Sequence, residues 1–456
     1  MSRTPSKVLR LVLLVSILAS FVAFLDGSVV NVALPAIARE LGGGLSIQQW
    51  VIDAYLITLG GLILVAGSLS DIFGRKLILR WGLIGFAATS LLCALAPSGA
   101  FLIVMRVLQG VAGALLVPSS LALIISSFPP DKQGKAIGKW TAWTGIAYIL
   151  GPLLGGLLVD VYSWRLVFII NIVPVAVTLW LMRALRDIDE PSVEATVDIT
   201  GALLCAFGLG GVVYALIEQA HYGWANPQIY LPLLVGLAAL AVFVWHERRT
   251  AKPMLPLKLF TVRNFSVGNV ATAAIYAGLS VSSFLVIVFL QQVAGYSAVG
   301  AGFALLPVTL LMFVFSSRFG ALAGKYGPRL FMTIGPLIAA AGFLSFLLVQ
   351  TPVEYVTQLL PGVLLFGFGL SITVAPLTTA ILGSIHHSQA GVGSAINNAV
   401  ARIAGLLAVA GIGIVVGQVV TLAGFRRGVI VMAVLLIVGA VVSGIGIQNS
   451  VPRGDH

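Results

Sequence analysis

The chain has 456 residues, of which 59% are hydrophobic and only 9% charged, and its mean hydropathy is +1.07. A soluble domain carries about 25% charged residues, so a soluble enzyme, a disordered chain and a nucleic-acid-binding protein are excluded and a membrane-embedded chain is implied. The net charge of +11 therefore needs a source other than an acidic polymer, and the positions of the basic residues supply one.

A bilayer core about 30 Å thick takes about 20 apolar residues per helix. In chain order the sequence offers fourteen such segments: 10–37, 49–70, 77–97, 101–126, 135–160, 164–185, 198–219, 229–246, 265–292, 300–323, 329–349, 354–382, 391–420 and 427–447. The first is longer than the apolar part of a cleavable signal, about 7–15 residues, and is expected to persist as a helix. With the N-terminus placed inside, 20 of the 26 Lys and Arg fall in inner loops or termini, and Arg39, Arg165, Arg426 and Arg427 fall outside. Basic residues concentrate on the cytoplasmic side of membrane proteins, so both termini are expected in the cytoplasm and the positive charge is a topology signal. The 51 glycines suit helices that pack closely in lipid. Cys93, Cys205 and the five histidines show no metal-ligand spacing, and no GxxxxGK[ST] phosphate loop is present. No metal centre, no ATP drive and no catalytic residues are expected.

Candidate residues follow in the same order. Asp26 lies in the first span, about 11 residues or ~16 Å from its outer end at 1.5 Å per residue. An ionised carboxylate at that depth is costly, so Asp26 reads either as a group that binds and releases protons and attracts a cationic substrate, or as a structural acid bonded to a neighbouring helix. Asp53, near Trp50 at the outer part of the second span, reads as a second proton or cation site or as an interfacial charge. Arg106, Gln109, Gly110 and Gly113 share one helix face. The buried Arg106 needs an acidic or carbonyl partner, for which Asp26 is a candidate. Pro152 favours a kink in the fifth span, and Gly151, Gly155 and Gly156 give it a slim surface. Arg402 reads as a transport residue or as a packing residue in the thirteenth span. Glu218, Asp160 and Glu354 lie near outer ends and read as solvated. Asn31, Tyr55, Gln109, Trp143, Tyr148, Tyr276, Phe284 and Phe289 are candidates to line a cavity, the aromatics by cation–π contact.

Shifting the chain by 253 positions lays Gly67-Ser-Leu-Ser-Asp-Ile-Phe-Gly-Arg-Lys-Leu77 over Gly320-Ala-Leu-Ala-Gly-Lys-Tyr-Gly-Pro-Arg-Leu330, and Gly82 over Gly335. Each copy follows the second span of a six-helix group. Two such bundles with a midplane site between them are a common transporter plan. Spans seven and eight are then an additional pair, and the expected domains are 1–190, 191–262 and 263–456.

The chain resembles the fourteen-helix drug:proton antiporters of the major facilitator superfamily. The resemblance rests on Leu25-Asp-Gly-Ser-Val-Val-Asn-Val-Ala-Leu-Pro35, on the Gly67–Lys76 loop, on Arg106-Val-Leu-Gln-Gly-Val-Ala-Gly113, on Gly151-Pro-Leu-Leu-Gly-Gly156 and on Gly391-Val-Gly-Ser-Ala-Ile-Asn-Asn398. It implies an all-α polytopic protein of two six-helix bundles plus two extra helices. It also implies a monomer in the plasma (inner) membrane that exchanges protons for lipophilic, cationic drugs or metabolites, with no cofactor besides the coupling proton. By resemblance Asp26, Asp53 and Arg106 handle the proton. Gly67, Asp71, Gly74, Arg75 and Lys76 then gate the inner side, and Gly151, Pro152, Gly155 and Gly156 form an antiporter-type hinge. In the second copy Gly324 replaces Asp71 and Pro328 replaces Arg75, so a charge switch is not expected there. A proton symporter importing a small metabolite on the same fold is the alternative, which the Gly151–Gly156 motif disfavours.

Overall fold

The computed structural model describes residues 6–185, 197–251, 253–386 and 389–449, and among these there is no β-strand. The chain forms two compact units. The first comprises Met1–Leu255 with Tyr296–Gly302, and the second Pro256–Gly295 with Phe303–His456.

The first unit holds α1 (Ser6–Leu41), α2 (Gly44–Phe73), α3 (Arg75–Ala94), α4 (Gly99–Ser127), α5 (Pro130–Val161), α6 (Leu166–Ile169), α7 (Ile172–Met182), α8 (Ile199–Tyr222) and α9 (Pro227–Arg249). α4 packs against α1, α2 and α3, and α5 lies along α1. Small residues permit these approaches. A Cβ on Gly110 would collide with the Tyr55 carbonyl and Thr58, and one on Gly82 would stand 2.9 Å from Leu115 Cβ. The Thr58 hydroxyl donates to the Val107 carbonyl at 2.8 Å. α8 and α9 pack on each other and α8 rests on α2, where the Trp50 indole donates to Glu218 at 2.7 Å and faces the Tyr214 ring at 6.2 Å. The additional helix pair expected within 191–262 is thus part of the first unit. The boundary expected at 190 falls outside the described residues.

The second unit holds α10 (Arg263–Gln292), the end of α11 (Ala298–Ala304), α12 (Leu306–Tyr326), α13 (Pro328–Ser345), α14 (Leu360–Leu382), α15 (Ala390–Val416) and α16 (Leu422–Gly446). α14 packs on α12 and α13, while α10 packs on α15 and α16. Its core is aromatic, with Phe289 stacked on Phe425 at 3.8 Å between ring centres.

Among the described residues, twelve helices are long and apolar enough to cross a membrane, and a shorter apolar run covers Leu166–Met182. Two expected spans differ in form from a single rod. The sixth, expected over 164–185, breaks between Ile169 and Ile172. Pro174 lacks an N–H and sits in the first turn of α7, where that loss is tolerated. The tenth, expected over 300–323, breaks at Leu305, with Pro307 in the first turn of α12. The second, expected over 49–70, is the 30-residue α2.

The sequence repeat has a structural counterpart. Gly74 joins α2 to α3 at φ 93°, and Gly327 joins α12 to α13 at φ 87°. Both conformations favour a residue without a Cβ. Gly335 then meets Gly369 on α14 much as Gly82 meets α4.

Candidate functional site

Inside the first unit, polar side chains from four places in the chain converge. Asp26 comes from α1, Ser90 from α3, Arg106 and Gln109 from one face of α4, and Asn171 from the break between α6 and α7. None is more than 1% exposed. Arg106 Nη1 lies 2.7 Å from Asp26 Oδ2 and also donates to Gln109 Oε1 at 2.7 Å. The other carboxylate oxygen, Asp26 Oδ1, accepts from Gln109 Nε2 at 3.1 Å and from Asn171 Nδ2 at 2.9 Å. Gln109 Nε2 also donates to Ser90 Oγ at 2.8 Å.

The guanidinium is held from the other side as well. Arg106 Nε donates to the Val51 carbonyl at 2.8 Å. Its Cζ stands 4.3 Å from the centre of the Tyr55 ring and 5.8 Å from that of Phe168, close enough for cation–π attraction. A buried ion pair offsets its desolvation only when the remaining donors and acceptors are also satisfied. Here three donors point at the carboxylate, which is the pattern an ionised carboxylate accepts. Asn171 itself stands in the turn between α6 and α7, where the backbone keeps right-handed helical angles.

Asp53, on α2, is fully buried and stands apart from this cluster. Neither of its oxygens has a hydrogen-bond partner among the described residues.

Tyr55 and Gln109 belong to the buried cluster, at 2% and 0% exposure. Asn31 is half-buried and donates to the Gly27 carbonyl of its own helix. Trp143 is 56% exposed on α5, and Phe284 is 1% exposed in the core of the second unit. Tyr276 is half-buried on α10, in the second unit, as is Phe289. The Tyr148 side chain lies outside the described residues. Arg402 is half-buried on α15.

The motif residues have mechanical positions. A Cβ on Gly151 would collide with Ser28, and one on Gly155 would stand 2.6 Å from Val29 Cγ2, so these glycines let α5 lie against α1. Ser28 Oγ donates across that contact to the Ala147 carbonyl at 3.0 Å. A Cβ on Gly156 would stand 2.6 Å from Val299 Cα, and one on Gly302 would stand 2.6 Å from the Pro152 carbonyl oxygen. Gly67 has open space about it. Arg75 is half-buried at the start of α3, and Lys76 Nζ donates to the Leu185 carbonyl at 2.5 Å. The Asp71 side chain lies outside the described residues.

Two of the acids read as solvated are engaged. Glu218 holds Trp50, and Asp160 accepts the backbone N–H groups of Ala298 and Val299 at 3.0 and 2.8 Å. Sequence reasoning did not find Ser90, Asn171 or the Val51 carbonyl. A serine or asparagine in an apolar span is common, and no spacing ties Asn171 to Asp26, 145 positions earlier.

The model of the Major Facilitator Superfamily matches residues 16–409. The chain is 34% identical over 395 residues to the multidrug resistance protein Stp of Mycobacterium tuberculosis, covering 85% of this chain and 72% of that one. It is 36% identical over 404 residues to the puromycin resistance protein pur8 of Streptomyces alboniger, covering 87% and 80%. The peptide transporter POT, crystallised with sulfate, shares the fold with a TM-score of 0.71 at 16% identity over 96% of this chain and 95% of that one. The chain therefore belongs to the Major Facilitator Superfamily and is a membrane transporter.

Proposed function

We propose that the protein is a proton-coupled antiporter that exports lipophilic, cationic drugs or metabolites across the cell membrane by alternating access. The observation that carries this reading is the buried Asp26–Arg106 pair. Its chemistry suits an exchanger. One carboxylate can be neutralised by a proton, by a cationic substrate or by Arg106, and only one of the three at a time. In the closed cluster Arg106 fills that role. A proton reaching Asp26 frees the guanidinium, and a cation arriving later displaces the proton. The resistance names of the Stp and pur8 relatives support drug-like substrates and the outward direction.

Asp53 serves in this reading as a second proton carrier. Both of its carboxyl oxygens are buried without a hydrogen-bond donor among the described residues, which leaves them open to a proton. The fourteen-span arrangement counts α2 and the α6–α7 pair as crossings beside the twelve apolar helices, with both termini in the cytoplasm. The protein works as a monomer, and it requires no cofactor.

The test is transport in liposomes carrying the purified protein. An imposed proton gradient should drive ethidium export. Asp26→Asn should abolish the gradient-driven component. Full gradient-driven export by that variant refutes the proton role.

A further inference from the structure

A second ionisable cluster lies where α8 begins and α9 ends. Asp198 caps α8: its Oδ1 accepts the Gly201 N–H at 2.8 Å and the His246 Nε2–H at 2.9 Å. Glu247, 3% exposed on α9, accepts the Leu255 N–H through Oε2 at 2.8 Å. The remaining oxygens, Asp198 Oδ2 and Glu247 Oε1, are buried without a donor. Both stand 2.7 Å from the point where a Cβ on Gly201 would be. Two acceptors thus face one another across a residue that has no side chain. A buried pair of acids this close does not tolerate two negative charges, and a proton between them satisfies both.

We propose that Asp198 and Glu247 form a proton-binding dyad that fastens Leu255 to the α8–α9 hairpin. Leu255 is the last residue of the first unit in this stretch, and Pro256 is the first of the second. The fastening therefore acts on the joint of the chain between the units. Asp198 is the ionised member. Burial alone would raise its carboxyl, but hydrogen bonds from the Gly201 N–H, His246 and Glu247 outweigh that and hold it below the ordinary carboxylate range. The shared proton accordingly sits on Glu247, donated to Asp198. When pH rises and the proton leaves, two buried anions remain, Glu247 turns toward water, and Leu255 loses its acceptor.

Among the described residues, His246 and Cys205 are the further titratable groups that act on the pair. His246, with a quarter of its side chain exposed, lies against Asp198 at 2.9 Å and against the Thr250 hydroxyl at 3.2 Å. Cys205 on α8 is buried within electrostatic reach of Glu247. α2, the other helix packed on α8, contributes no charged group to the pair among the described residues.

Hydrogen exchange at the Leu255 amide, corrected for the intrinsic pH dependence of exchange, tests the dyad in the full-length protein. Protection in the wild type should fall about tenfold or more between about pH 6 and pH 9. Glu247→Gln and Asp198→Asn each place an N–H between the two oxygens, so both should keep Leu255 protected across that range. Both should also lose an infrared band of a neutral carboxyl group. A flat wild-type profile, a wild-type response surviving in either variant, or protection that rises with added Zn²⁺ at constant pH would overturn the proposal. The transport assay with Asp26→Asn is unaffected by any of these outcomes.

Discussion

Asp26 on α1 and Arg106 on α4, 80 positions apart, meet at 2.7 Å with at most 2% of either side chain exposed. The pair joins two helices of the first unit and leaves neither charge with an alternative partner in water. Removing one member strands the other, which costs about 3–5 kcal/mol for a buried pair. Arg106→Met should therefore lower thermal stability markedly, while the double variant Arg106→Met with Asp26→Leu should recover much of the loss. Unfolding of the detergent-solubilised proteins, followed by a thiol- or tryptophan-based signal, measures both. A double variant no more stable than Arg106→Met would mean that the pair is not the unit of stability.

Asn171 holds Asp26 Oδ1 at 2.9 Å and reaches Ser90 Oγ at 3.4 Å. Asn171→Leu removes one of three donors to the carboxylate, worth about 1.5–3 kcal/mol for a bond to a charged group. Transport should fall while the protein stays folded, and Asn171→Asp should do worse by placing a second acid against Asp26. Rates in liposomes at one fixed gradient compare the three proteins. Equal rates for wild type and Asn171→Leu would place Asn171 outside the site.

Gly74 and Gly327 take the same role in the two copies of the repeat, at φ 93° and 87°. Alanine at either position is forced into a conformation that costs about 1–3 kcal/mol. Gly327→Ala should lose more than Gly74→Ala, because its Cβ would also collide with Asn449, whose side chain accepts from the Arg329 N–H. Gly67→Ala, with nothing within 4 Å of its new Cβ, should lose little. A melting series of the three variants distinguishes backbone strain from simple loss of glycine.

Asp198 caps α8 and is held below the usual carboxylate range, burial being outweighed by the Gly201 N–H and by His246 and Glu247. A carboxyl lowered in the folded state stabilises the fold above its unfolded titration range, and that contribution is lost as pH falls through the folded value. Asp198→Ala should therefore be less stable than wild type at neutral pH, by about 1 kcal/mol for the lost cap. The gap should narrow as pH drops below the ordinary carboxylate range. Paired melting curves at neutral and acid pH read the difference.

Much of this was visible in the residues. Hydropathy located the apolar helices because a bilayer imposes a length and forbids unpaired backbone. The Leu25–Pro35 and Arg106–Gly113 motifs identified the family resemblance and nominated the Asp26–Arg106 contact. Other features were not visible. The contact of Asn171 with Asp26, 145 positions earlier, leaves no mark on the hydropathy of the span. Trp143 and Phe284 are equally aromatic in the sequence, yet one faces outward at 56% exposure and the other lies in the core of the second unit at 1%. A helix pattern gives spacing along an axis but not the rotation that decides which face meets which neighbour.

The sequence by itself determined the membrane-embedded helical class, the family and the acid and base at its centre, because each is written in composition or in short local spacing. Tertiary structure alone decided that Gln109 and Asn171, themselves held by Ser90, join Arg106 in donating to Asp26, that α8 and α9 belong with the first unit, and that Asp198 and Glu247 face each other across Gly201. These relations join residues tens to more than a hundred positions apart. They arise from how small residues let particular helices approach, which no one-dimensional pattern specifies.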